Sequence, residues 1–252
     1  MNRIIPEIVR RTKGQGVTAV TAYDYPTARL LDEAGVEVLL VGDSVGMVVL
    51  GLPDTTGVVL DDILHHVRAV GRGVSRSLVV ADLPINTYNS PHDAVLSARK
   101  LADAGAHAVK LEGGQSENEQ IRAITESGIA VMGHIGMLPQ HIREEGGYHL
   151  KGKTEAEKQF LLDEARAVEV AGAFAVVLEL VRPDVASEIT RTISIPTIGI
   201  GSGSECDGQI LVFHDLVGYS PWFVPKHVRP QARIGEEIIR AAKAFIAGVK
   251  SR

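Results

Sequence analysis

Asp43, Asp82 and Glu112 are acids at which short aliphatic runs stop. Leu39-Leu40-Val41-Gly42 leads into Asp43-Ser44, Leu78–Ala81 into Asp82, and Ala108–Leu111 into Glu112-Gly113-Gly114. A carboxylate ending a strand buried on both faces is costly unless a cation or several hydrogen bonds compensate it. One such acid most simply caps the next helix or meets solvent. Three on consecutive strands suit Mg²⁺, which takes one or two carboxylates, keeps waters and accepts substrate oxygens.

Lys110 stands two residues before Glu112, so in a strand the two share a face. A lysine there can bind a substrate carboxylate or stabilise an enolate oxygen; the plainer reading is an ion pair with Glu112. Glu179 ends a wholly apolar strand, and spacing leaves it open between a general base, a helix cap and a partner for Arg182. His134 lies in Gly133-His134-Ile135-Gly136, whose glycines would let a ligand approach; it also reads as a satisfied, half-buried histidine. Ser44 can donate to a substrate carboxylate or cap its loop. Gly42-Asp43-Ser44-Val45-Gly46 is not a nucleophile elbow. Gly199-Ile200-Gly201-Ser202-Gly203 reads as an anion cradle or as a tight strand-to-helix turn. His65-His66 falls on a helix surface, and Cys206 has no activating neighbour.

The elements that must position these groups alternate. Strands are expected at Val17–Ala22, Val38–Gly42, Leu78–Ala81, Ala108–Leu111, Ile129–Met132, Ala175–Leu178, Pro196–Ile200 and Gln209–Phe213. Helices are expected after Pro26, over Asp61–Gly71, after Ser90, over Glu117–Ser127 and Thr154–Ala171, and over Ala232–Val249 at the end. Val45–Val59 and Tyr219–Pro230 read as loops, and Ile135–Lys153 as a long polar excursion. Ala104-Gly105-Ala106 through Glu112 repeats as Ala171-Gly172-Ala173 through Glu179, with a looser copy from Ala34 to Asp43. Each copy is a helix end, a glycine turn, a buried strand and a polar terminus. Eight alternating units predict a parallel (β/α)8 TIM barrel, residues 1–252 as one domain with a C-terminal helix, whose functional groups share the mouth at the strands' C-terminal ends. A doubly wound open sheet is the competing fold.

With 252 residues, 45% of them apolar, the chain can bury a large core. Its net charge of −5, without a basic stripe, argues against nucleic acid as partner. A single cysteine excludes an internal disulfide and fits a reducing, cytoplasmic compartment. Met1–Pro6 carries no apolar signal region, and no apolar run nears the ~18 residues of a membrane span.

The chain resembles the ketopantoate hydroxymethyltransferase family and, more distantly, the phosphoenolpyruvate mutase/isocitrate lyase group of barrels. The likeness rests on Thr21-Ala22-Tyr23-Asp24, Gly42-Asp43-Ser44, Ala81-Asp82-Leu83-Pro84, Val109-Lys110-Leu111-Glu112-Gly113-Gly114, Gly133-His134-Ile135-Gly136, Pro139-Gln140, Leu178-Glu179 and Ile195–Gly201. It implies one Mg²⁺ per subunit held by Asp43, Asp82 and Glu112. It implies a 2-oxo acid bound by Asp43, Ser44, Asp82 and Lys110, and Glu179 as the base; His134 is added to the substrate set from its position. The implied reaction carries a hydroxymethyl group from 5,10-methylenetetrahydrofolate to 3-methyl-2-oxobutanoate through a Mg-stabilised enolate, giving 2-dehydropantoate for pantothenate synthesis, in a homo-oligomer that is a decamer in the family. Departures from the family pattern fall at Gly57, Val59, Asn86 and Leu138, in loops around the mouth. The alternatives are a Mg-dependent lyase or aldolase acting on another 2-oxo acid without folate, and a barrel that binds without catalysis.

Overall fold

The computed structural model describes residues 14, 16–220, 224–226 and 228–251; the Met1–Pro6 reading and part of the Tyr219–Pro230 loop fall outside them. In order come β1 (Val17–Thr21), α1 (Tyr25–Ala34), β2 (Val38–Val41), α2 (Val45–Val48), α3 (Leu60–Gly73), β3 (Leu78–Asp82), α4 (Pro91–Asp103), β4 (Ala108–Lys110) and α5 (Asn118–Glu126). Then follow β5 (Ala130–Gly136), α6 (Ile142–Glu145), α7 (Glu155–Val170), β6 (Ala175–Glu179), α8 (Pro183–Thr192), β7 (Thr197–Ile200), β8 (Gly208–Leu211), α9 (Phe213–Leu216) and α10 (Ile234–Lys250). The eight strands close a barrel in sequence order, as the alternation predicts, and the open sheet is ruled out. Two compact units divide the chain, Met1–Ile210 and Leu211–Arg252.

Local chemistry sets the boundaries. Asp24 accepts from the Thr27 N–H at 2.8 Å to cap α1, Pro26 sits in its first turn, and Gly35 closes it in the left-handed region. Ser90 caps α4 from the Asp93 N–H. Thr154 caps α7 from the Glu157 N–H, and the Glu157 carboxylate reaches the Lys153 N–H, one residue before the cap.

The register inside the barrel does the positioning. Val38, Leu40, Leu78, Val80, Ala108, Met132, Ala175, Val177 and Ile198 form the inner core. Two residues further along, on the same face, stand Asp82, Lys110, His134 and Glu179. The site thus continues the core's alternation toward the strands' C-terminal ends.

Several expectations change. β5 runs on to Gly136, so His134 is a strand residue and the excursion starts later. The Val45–Val59 loop contains α2 and a 3-10 turn at Thr55–Gly57. Helix α8 lies where none was expected. No helix follows β7: residues 201–207 form a loop in which Ser202 Oγ donates to Leu178 O at 2.7 Å and accepts from the Val181 N–H at 3.0 Å. The strand-to-helix reading of Gly199–Gly203 is therefore replaced by a strand-to-strand connection, and an anion cradle there would have no helix N-terminus behind it.

Candidate active site

β3 and β4 pair with Asp82 opposite Lys110, and the Lys110 ammonium meets Asp82 Oδ1 at 2.6 Å. Glu112 Oε1 is farther, at 3.8 Å, so the expected Lys110–Glu112 pair is the weaker contact. Burial disfavours the ammonium, but Asp82, Glu112 and Asp43 outweigh it and hold Lys110 protonated above its ordinary range. Lys110 is therefore a fixed positive charge rather than a base.

Asp43 reaches the site differently. Gly42 takes the inward position of β2, and the chain turns there. A Cβ on Gly42 would lie 3.1 Å from Ser44 Oγ and 3.4 Å from Asp82 Oδ2, so a larger residue would press on the Ser44 hydroxyl. The turn sends the Asp43 N–H to Asp82 Oδ2 at 3.1 Å. Burial, then repulsion from Asp82 and Glu112, pushes the Asp43 carboxyl well above the usual range. Burial also lifts Asp82, against the pull of Lys110. Burial acts on Glu112 too, but His134, Lys110 and the Gln140 N–H outweigh it and hold that acid low.

Ser44 precedes α2 without capping it; its hydroxyl hydrogen-bonds Tyr23 Oη at 2.8 Å. His134 is buried among charges, with Nδ1 3.2 Å from Lys110 Nζ and 3.5 Å from Glu112 Oε1. Its Nε2 lies 3.3 Å from Glu179 Oε2, close enough for strong attraction but without hydrogen-bond alignment. Burial and the Lys110 ammonium push the ring's pKa down; the Glu112 and Glu179 carboxylates reverse this and raise it to about 9. Glu179 ends β6, half-buried, opposite Gly136. Arg182 pairs with Asp184 instead, at 2.9 Å, which removes that reading of Glu179.

The flanking glycines serve packing rather than ligand approach. A Cβ on Gly133 would fall 2.4 Å from Val168 Cγ1 of α7, and one on Gly136 2.4 Å from Glu179 O. His65 is exposed as expected, whereas His66 is half-buried, its Nδ1 2.6 Å from Tyr23 O. Asn86 adopts φ 67, a left-handed conformation asparagine tolerates.

Sequence reasoning missed three polar side chains. Gln140 is buried in the 3-10 turn Pro139–His141 and bonds Asp43, Glu112 and Leu83. Tyr88 hydrogen-bonds Gln140. Tyr148, on the excursion, is 44% exposed, yet partial burial of its hydroxyl and then the charges of Glu179 and Asp43 push that hydroxyl up. These residues lie in loops without periodicity; Pro139-Gln140 entered only through resemblance. The excursion is clasped to the loop after β2 by Arg143, which donates to both Asp54 oxygens at 2.9 and 3.2 Å.

Among the described residues, no group of three or more His, Cys, Asp or Glu side chains converges as a metal-ligand set. The three expected carboxylates are neighbours, but they do not form a three-ligand cluster.

The model of the family described as ketopantoate hydroxymethyltransferase matches residues 4–252. The 3-methyl-2-oxobutanoate hydroxymethyltransferase of Syntrophus aciditrophicus strain SB is 49% identical over 253 residues, covering 99% of this chain and 93% of that protein. The protein of the same name from Ignicoccus hospitalis is 48% identical over 98% of this chain and 94% of its own. Among solved structures, phosphoenolpyruvate phosphomutase from Streptomyces platensis subsp. rosaceus superposes with a TM-score of 0.66 at 15% identity, over 98% and 88% of the two chains. 2,3-Dimethylmalate lyase superposes with a TM-score of 0.61 at 17% identity, over 96% and 86%. At such identities the structures share the fold.

Proposed function

The chain belongs to the ketopantoate hydroxymethyltransferase family, and from that premise we propose that it transfers a hydroxymethyl unit from 5,10-methylenetetrahydrofolate to 3-methyl-2-oxobutanoate, giving 2-dehydropantoate. One observation carries the mechanism. A buried Lys110 and a half-buried Glu179 stand on one inward register with His134 between them, its Nδ1 3.2 Å from Lys110 Nζ and its Nε2 3.3 Å from Glu179 Oε2.

The residues fit a divalent cation. Four carboxylates (Asp43, Asp82, Glu112 and Glu179) face one ammonium and one imidazole, so the site is short of positive charge. Burial first, and then the neighbouring carboxylates, lift Asp43 and Asp82, and Glu112 Oε1 has no aligned hydrogen bond among the described residues. Asp43 and Asp82 would hold the ion, with Glu112 beside them, oriented by Gln140 and His134. When bound, Mg²⁺ would supply Lewis-acid polarisation of the substrate's carboxylate and keto oxygens.

The protein's own groups do the rest. Ser44, oriented by Tyr23, would donate to the substrate carboxylate. Lys110 would meet the keto oxygen as negative charge develops there. Glu179 would take the proton from C3, its carboxylate held in place by His134. The carbanion carbon then bonds to the donor's methylene carbon, the two carbon–nitrogen bonds to that methylene break, water supplies the hydroxyl group, and the proton taken from C3 together with water's second proton ends on the two folate nitrogens. We also propose a homo-oligomer, supported by the apolar exposed residues of α10; the family decamer is the size expected. A reducing compartment such as the cytoplasm fits the single Cys206.

The folate-independent lyase and the non-catalytic barrel draw no support from relatives nearly half identical that carry the hydroxymethyltransferase name. The test follows C3 proton exchange of 3-methyl-2-oxobutanoate by NMR in D₂O with Mg²⁺. Glu179→Gln is expected to slow exchange by about 10²- to 10⁴-fold. Equal exchange in both proteins would reject Glu179 as the base.

A further inference from the structure

Gln140 reaches two of the acids, Asp43 through its side chain and Glu112 through its backbone N–H. Its Nε2 donates to Asp43 Oδ2 at 2.9 Å and to Leu83 O at 3.0 Å. The Leu83 carbonyl can only accept, so the amide nitrogen must face it and the amide's orientation is determined. Its Oε1 must then face Tyr88, and the Tyr88 hydroxyl must donate, at 2.6 Å. The backbone N–H of the same residue donates to Glu112 Oε2 at 3.0 Å. One residue therefore ties down one oxygen of the acid after β2 and one of the acid after β4, leaving Asp43 Oδ1 and Glu112 Oε1 for other partners.

We propose that Gln140, oriented by Tyr88, is the positioning residue that holds the Asp43 carboxylate in the orientation the active site uses. The choice of an amide has a physical reason. Asp43 lies beside two other buried carboxylates. A lysine or arginine could hold it equally well, but would add the positive charge that a dication must otherwise bring, and so would compete with it. A neutral donor fixes geometry and leaves the charge deficit in place. The 3-10 turn carrying Gln140 lies within the excursion that Arg143 clasps to Asp54, so its placement depends on the loops after β2 and β5 closing on one another.

This inference rests on the reading that Asp43 helps to hold a divalent ion, and the test separates the two. Full-length protein is titrated with Mn²⁺ in the presence of 3-methyl-2-oxobutanoate, with binding read by electron paramagnetic resonance and folding checked by metal-free thermal denaturation. Gln140→Met, which keeps length and removes the donors, is expected to weaken Mn²⁺ by about 10- to 100-fold. Tyr88→Phe is expected to weaken it less. The double variant should be no weaker than Gln140→Met alone, because Tyr88 acts through Gln140. Parent-like affinity in Gln140→Met overturns the inference while leaving the metal reading intact. Additive losses in the double variant also overturn it, since Tyr88 would then act separately, for instance through its 3.3 Å contact to Glu112 O. No Mn²⁺ binding by the parent overturns both. Should Gln140→Met fail to fold, Tyr88→Phe decides alone, and parent-like affinity there overturns the proposal.

Discussion

Lys110 is the residue at which stability and chemistry meet. Its ammonium offsets Asp82 directly and Glu112 at longer range, in a place from which water is excluded. Removing one member of a buried pair costs about 3–5 kcal/mol because the other charge stays behind. Lys110→Met is therefore expected to lower urea-unfolding stability by about that amount and to reduce turnover about 10²-fold or more. Asp82→Asn added to it should restore much of the stability and none of the turnover. If the single variant is as stable as the parent, Asp82 is already neutral in the metal-free protein. At this scale the sequence was informative: each acid stood out because a polar residue interrupted an aliphatic run. Gln140 and Tyr88 did not, because a polar residue in a polar loop contrasts with nothing around it.

At the scale of elements, the start of β3 decides whether Asp82 faces inward, since a one-residue slip would turn it to the other face. Asp32, near the end of α1, secures that start. Its carboxylate accepts from the Ser75 N–H and hydroxyl, from the Arg76 N–H at 2.9 Å and from the Ser77 N–H at 2.7 Å. Burial pushes its pKa up, but the Ser77, Arg76 and Ser75 donors outweigh this and hold it well below the usual range. A carboxylate depressed on folding stabilises the protein above its unfolded pKa of about 3.9, and that contribution is lost as pH falls toward the folded value. Asp32→Asn is expected to cost about 1.5–3 kcal/mol at neutral pH. The difference from the parent should shrink progressively below about pH 4, read by denaturant titration at several pH values. A difference independent of pH would show that the charge contributes nothing.

At the scale of the molecule, α10 has no buried residue in the single chain. Ile239, Phe245 and Val249 are 57%, 74% and 54% exposed, with Ile238 and Ile246 also open. An apolar face of this kind on a long helix is the surface through which the proposed homo-oligomer would associate. Light scattering after size exclusion is expected to give a multiple of the 27.0 kDa chain mass. Phe245→Glu should shift it toward smaller species at micromolar concentration. A parent that elutes as a monomer would reject the homo-oligomer.

The sequence by itself determined the alternating, parallel β/α architecture, because eight buried runs separated by helical segments can satisfy their backbone and cover both faces only as a parallel sheet with helices outside; that the sheet closes, gathering the polar run ends at one mouth, was decided by the tertiary structure. The sequence also marked Asp43, Asp82, Lys110, Glu112, His134 and Glu179, because a charge in an aliphatic strand is visible against its neighbours. Tertiary structure decided which charges pair. Lys110 meets Asp82 rather than Glu112, two residues on in its own segment, because strand pairing sets Asp82 directly opposite it. Only the fold showed that Gly133 makes room for Val168, that Arg182 turns to Asp184, and that Gln140, 97 residues from Asp43 in the chain, supplies its hydrogen bond. Periodicity reports which face a residue takes along one element. The partner it finds there depends on register and loop closure between elements, which no local pattern encodes.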